Sequence, residues 1–265
     1  MLIYKYNVMF LLLFITSLSA YAIDVLPELS SHDEADKAIV SLTQKITASP
    51  EQAKGYIKRG GLYFLIHDFD RAVEDFSKAI SLDKNHDDAY YWRGMALGRQ
   101  GFVRDGIADL TVYITRNPDS SLAYTKRGVR YIWLGDNENA FKDLSKAIEL
   151  DPNNAEAHDD FGVVLAQQGN YSEAVKHFHA TVSIDPTYQK GHHNLAMAYF
   201  VIEKDAQALS SVDESLRLAP DFRNSLILKS KILNALGRVS EAKELEEEAQ
   251  FLPQSGDWTE HVPVQ

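Results

Sequence analysis

The chain has 265 residues, 45% of them hydrophobic and 25% charged, with 14 Gly, 8 Pro and no Cys. This is the composition of a folded protein, and it excludes collagen and low-complexity disorder. The missing cysteines exclude disulfide frameworks, thiolate zinc sites and cysteine nucleophiles. Lys and Arg number 27 against 38 Asp and Glu, a net charge of −11; such a field repels phosphate backbones, so nucleic acid is not an expected partner.

Residues 1–22, MLIYKYNVMFLLLFITSLSAYA, carry one cation, Lys5, then an apolar run from Val8 to Leu18, then Ala20-Tyr21-Ala22. The run is shorter than the roughly 20 residues a membrane-spanning helix needs, and the pattern is that of a secretory signal peptide cleaved after Ala22. The alternative is an uncleaved amino-terminal anchor, the one circumstance in which a membrane contact is expected. Either way the chain is expected to be exported, to a periplasmic or secreted location. Residues 23–52 follow as a capping segment, with Ala38, Ile39, Leu42 and Ile46 at helical spacing between Asp33 and Ala48.

From residue 53 onward the chain repeats itself every 34 residues. Gly60, Gly94, Gly128, Gly162, Ala196 and Ser230 form one column of small residues, and Ala72, Gly106, Ala140, Ala174, Ala208 and Ala242 form a second, twelve residues further on. Pro50, Pro118, Pro152, Pro186 and Pro220 stand in register, and Gly101, Gly135, Gly169 and Gly237 form a column broken by His67 and Glu203. Each repeat holds two stretches of helical spacing with that last column between them. Glycine there can take the left-handed conformation that ends the first helix, and the proline prevents continuation of the second. The small columns predict close helix crossings, with the large residues at Phe76, Leu110, Leu144, Phe178 and Val212 filling the remaining space. Glu246 holds that place in the last repeat.

The pattern resembles the tetratricopeptide repeat (TPR) family. The stretch from Ser121 to Asn154 carries its marks at Tyr124, Gly128, Tyr131, Ala140, Leu144, Ala147 and Pro152. The resemblance covers about residues 53–256. It implies an all-α, right-handed superhelical solenoid of about six helix-turn-helix repeats, starting at 53, 87, 121, 155, 189 and 223, with a helical amino-terminal cap. The solenoid is expected over 53–253, with a tail over 254–265. The second helix of the last repeat, with Glu241, Glu244, Glu247 and Glu248, is polar enough to face water as the terminal cap. For Trp258 in the tail two readings stay open, docking on the last helices or availability to a partner.

No zinc-protease, P-loop, dinucleotide or nucleophile-elbow motif occurs, so neither an enzyme nor a cofactor is expected. His158 and His192 hold the repeat position of Tyr56, Tyr90 and Tyr124 and read as packing residues; His177 and His179 point to different sides of one helix and suit no single metal ion. What remains is a surface. By resemblance, the first helix of each repeat lines the concave side. Its groove positions include Ile57, Phe64, Tyr91, Met95, Arg99, Val129, Ile132, Trp133, Asp159, Val163, His193, Met197 and Phe200. The set is apolar and aromatic, the chemistry of protein interfaces, although any of these residues could instead pack between neighbouring repeats. Asp159 and Asp160, with Asp88 and Glu156 in register, are expected to select a basic side chain of the partner. One TPR subclass holds acidic carboxy-terminal peptides with Lys and Asn side chains; Ile57, Gly61, Tyr91, Met95, Thr125 and Val129 stand at those positions here, which does not imply that specificity. The expectation is an exported, non-enzymatic adaptor or scaffold that holds an extended peptide or helix of another protein, in cell-envelope assembly or secretion. The alternatives are a structural homo-oligomer using the same groove and, with less support, a metal-dependent enzyme.

Overall fold

The computed structural model describes residues 32–252; the expected signal segment with Ala22, and the tail with Trp258, lie outside the described residues. Thirteen α-helices and no strand are found among them. They fall into two compact bodies, 32–117 and 118–252. The first holds α1 (His32–Ala48), α2 (Ala53–Leu65), α3 (Phe69–Leu82), α4 (Asp87–Arg99) and α5 (Val103–Arg116). The second holds α6 (Ser121–Trp133), α7 (Asn137–Leu150), α8 (Ala155–Gln167), α9 (Tyr171–Ile184), α10 (Gln189–Val201), α11 (Asp205–Leu218), α12 (Arg223–Ala235) and α13 (Val239–Gln250). The even-numbered members are the first helices of the six repeats, and the odd-numbered members from α3 to α13 are the second helices. α1 stands where the second helix of a preceding half repeat belongs, packs on α2, and buries Ala35 and Ile46.

Local chemistry sets the helix ends. Asp68, Ser120, Asp136 and Asn154 accept from the backbone N–H three residues on, satisfying one of the donors a helix start leaves unpaired. Every first helix stops on the same motif. A residue at positive φ (His67, Gly101, Gly135, Gly169, Glu203 or Gly237) is followed by one whose N–H bonds back to the carbonyl five residues earlier. Asp68 to Tyr63 and Arg238 to Leu233 are examples, at 2.8 and 2.9 Å. The two breaks in the glycine column therefore share the conformation of the glycines.

The small columns mark the crossings, as the spacing predicts. All twelve residues are buried, and each first helix packs on its own second helix. A methyl added at Gly128 would come within 2.8 Å of the Leu144 side chain, and one at Gly162 within 2.6 Å of the Phe178 ring. Where the small residue grows, its partner shrinks: Ala196 meets the repeat with Val212, both fully buried. In the last repeat the pair becomes polar, Ser230 Oγ donating to Glu246 Oε1 at 2.9 Å, so that crossing ends the array with an exposed carboxylate instead of a core side chain.

Candidate functional site

Within each body, first helices touch first helices: α2 meets α4 in one, and α6, α8, α10 and α12 follow one another in the other. Second helices meet only first helices, those of their own repeat and of the next repeat in the same body. A layer whose members touch beside a layer whose members do not must curve toward the touching side, so in each body the first helices form the concave wall.

The thirteen groove residues predicted from the sequence all lie on these helices. In residues 32–117, Ile57, Tyr91 and Met95 are buried. Tyr91 packs on Tyr113 at 5.1 Å and edge-on to Trp92 at 5.2 Å, so it belongs to the core of its repeat rather than to a free surface. Phe64 is half-buried, edge-on to Phe69 and Trp92, and Arg99 is half-buried as well. In residues 118–252, Val129, Ile132, Trp133, Val163, His193 and Phe200 are half-buried and Met197 is exposed. Trp133 carries the Arg130 guanidinium over its ring at 5.5 Å. His193 shares a 2.9 Å hydrogen bond between its Nδ1 and Ser225 Oγ, which ties it to α12.

Asp159 departs most from expectation. It is fully buried, with Asn194 Nδ2 donating to Oδ1 at 2.8 Å and Lys190 Nζ 3.2 Å from Oδ2. Lys126 Nζ holds both Glu156 oxygens, at 2.5 and 2.6 Å, and Lys190 stands 3.7 Å from Asp160. The carboxylates expected to choose a basic partner are thus already matched by lysines of this chain. Asp88 belongs to residues 32–117, where it is exposed on α4. Burial pushes the Asp160 carboxyl up to about 7, with Glu156 and Asp159 adding to the rise and Lys190 opposing it. Burial works against the Lys190 charge too, but the pull of Asp159 and Asp160 outweighs it and raises the ammonium. The sequence does contain a signal for this cluster. Lys126 precedes Glu156 by 30 residues, one repeat less about one helical turn, and Lys190 follows Asp160 by the same step, which places each pair face to face on adjacent first helices.

Three further charged pairs escaped the reading by columns. Arg59 with Asp75, Arg93 with Asp109 and Arg127 with Asp143 are 16 residues apart within each repeat, each bidentate at 2.7 to 2.8 Å. Each guanidinium also lies near the ring of Tyr56, Tyr90 or Tyr124. In the fourth repeat Phe161 and His177 take these places, ring against ring at 4.7 Å. His158 Nδ1 is 3.0 Å from His177 Nδ1 and its Nε2 3.2 Å from the Pro152 carbonyl, so His158 is a packing residue with both nitrogens in use. Among the described residues no group of three or more His, Asp or Glu side chains could hold a metal ion.

The repeat that this geometry defines is one already known. The model of the TPR repeat matches residues 60–101 and 128–169. Over 103 residues the chain is 30% identical to tetratricopeptide repeat protein 13 of Homo sapiens, a match covering 39% of this chain and 12% of that protein's length. Among solved structures, the APC/C hetero-tetramer Cut9-Hcn1 superposes with a TM-score of 0.73 at 18% identity, covering 82% of this chain and 43% of that one. YrrB, described as a TPR protein with an unusual peptide-binding site, has a TM-score of 0.54 at 25% identity, covering 70% of this chain and 95% of that one. TPR repeats are therefore recognised here by sequence and by fold, and the fold is one that serves protein–protein interaction.

Proposed function

We propose that the chain is an exported, non-enzymatic adaptor that holds an extended peptide or helix of another protein against the concave wall of residues 118–252, in cell-envelope assembly or secretion. The observation that carries the reading is the side-chain chemistry of that wall. Met197 and Val201 stand exposed one turn apart on α10, Phe200 and Trp133 are half-buried, and Trp133 is capped by Arg130. Large apolar and aromatic groups left uncovered on one face are the usual anchors of a protein interface. The peptide-binding site described for YrrB lends the same fold that use. Export rests on the character of residues 1–22 alone; among the described residues no helix is long and apolar enough to cross a membrane.

A photo-crosslinker placed at Met197 in the native compartment is expected to capture a protein that the same probe at exposed Ser145 on α7 does not. With that partner purified, Trp133→Ala should weaken binding by about 2 kcal/mol, roughly 30-fold in Kd, with the melting temperature little changed. Equal capture from both positions, or equal affinity of variant and parent, overturns the reading. The homo-oligomer alternative keeps one point in its favour, the exposed Phe251 at the end of the array, and light scattering across a dilution series separates it.

A further inference from the structure

The two layers of residues 118–252 differ in sign. The first helices α6, α8, α10 and α12 carry seven Lys and Arg against three Asp and Glu, a net charge of +4, whereas the second helices α7, α9, α11 and α13 carry five against twelve, a net charge of −7. In a chain of net charge −11 the concave wall is therefore the basic side of this body. Its three carboxylates all lie on α8, and lysines of the flanking first helices hold them: Lys126 binds Glu156, and Lys190 stands against Asp159 and Asp160. Charge complementarity on this wall thus turns toward an acidic partner.

Lys231 is the cation left over. Arg127 and Lys229 are matched by Asp143 and Asp213 of second helices, Arg223 donates to the Ala249 carbonyl at 3.1 Å, and Arg130 is buried against Trp133. Lys231 is exposed on α12 and makes no ion pair among the described residues. It also stands beside the apolar strip. Contacts between adjacent first helices keep a near-constant offset, 30 residues for Lys126 with Glu156 and 32 for His193 with Ser225, so these helices run parallel. At an offset of 32, Met197 lies opposite Lys229, and Lys231 is two residues, about 3 Å, further along the axis. With neighbouring helices about 8–10 Å apart, the backbones at Met197 and Lys231 are roughly 10 Å apart. Side chains two residues apart in a strand, or three in a polyproline-like chain, share a face and span about 7 to 9 Å, which matches that separation.

We propose that the peptide held by this wall is acidic: an Asp or Glu meets Lys231, and a large apolar side chain two or three residues from it sits on Met197 and Val201. This names the chemistry of the peptide in the adaptor reading and rests on that reading. The negative second helices repel such a segment, which confines it to the concave side.

A phage-displayed library of random twelve-residue peptides, selected in parallel on the parent chain, on Lys231→Glu and on Lys142→Glu, tests the proposal without a natural partner; the last variant makes the same change of charge at an exposed site on α7. The parent and Lys142→Glu should enrich peptides with Asp or Glu two or three residues from a large apolar residue, and Lys231→Glu should enrich Lys or Arg at that place instead. The best acidic peptide, synthesised with both ends blocked, should bind Lys231→Glu about tenfold more weakly than the parent, bind Lys142→Glu nearly as well, and weaken as salt rises. Circular dichroism checks that each variant is folded. The same charge preference from the parent and Lys231→Glu, an enriched motif without a carboxylate, or no enrichment at all overturns the proposal. The adaptor reading is decided separately, by the capture from Met197.

Discussion

Glu203 adopts a backbone conformation that its side chain disfavours. Its φ of 59° matches the glycines at the other first-helix ends, and it is exposed, whereas His67 at φ 63° stacks on Phe69 and gains something from its ring. A left-handed non-glycine residue costs about 1–2 kcal/mol, partly offset because glycine loses more freedom on folding. Glu203→Gly should therefore stabilise the chain by about 0.5–1 kcal/mol, read as a higher melting temperature; an unchanged or lower one would mean that Glu203 is held by a contact worth more than the strain. The glycine column was legible in the sequence because a residue type was selected. That His67 and Glu203 share its conformation was not, because the turn is closed by the backbone N–H of the next residue, Asp68 or Lys204, which any residue but proline can supply. The same limit applied to Tyr91 and Asp159. Register put them on the concave helices, but which of their neighbours would cover them depends on side chains from other elements that register does not name.

Between helices, the paired charges matter more than the apolar pattern suggested. The Arg–Asp pairs recur with the period of the glycines, and Arg93 also donates to Ser77 of the preceding second helix, as Arg59 does to Thr43. One side chain thus ties its own repeat to the one before. Asp109→Ala would leave the half-buried Arg93 guanidinium without its bidentate partner and should cost on the order of 1–3 kcal/mol, whereas Arg93→Met with Asp109→Leu should recover most of it. Urea denaturation of Arg93→Met, Asp109→Leu, the double and the parent forms the cycle, and additive losses would deny the coupling. Within the cluster on α6, α8 and α10, Asp160 responds to pH in the opposite sense from an ordinary salt bridge, whereas Glu156, in spite of its burial, is held below the usual carboxylate range by Lys126 and keeps the ordinary sense. The Asp160 carboxyl binds its proton more tightly folded than unfolded, so its contribution turns unfavourable as pH rises from about 4, and the penalty is complete above about 7. Asp160→Asn keeps the shape without the charge. It should stabilise the chain by on the order of 1–3 kcal/mol at pH 8 and by less at pH 5. A loss of stability at pH 8 would show that the ionised carboxylate is needed by Lys190.

Within each body, stability is expected to add along neighbours instead of being shared through one core, because each helix pair touches only the adjacent pairs of that body. Gly128→Leu tests both this and the assignment of the small column. Leu144 already stands where the first added carbon would go, so the larger side chain must push α6 and α7 apart, at on the order of 1–3 kcal/mol. In a globular domain that strain would speed hydrogen exchange everywhere through global unfolding. Here exchange should quicken in residues 121–150, less in 155–184, and hardly at all in 223–250, four helices further on. Uniform acceleration across 118–252 would make that body a single cooperative unit, and no acceleration at all would mean that the crossing at Gly128 is looser than its buried neighbours indicate.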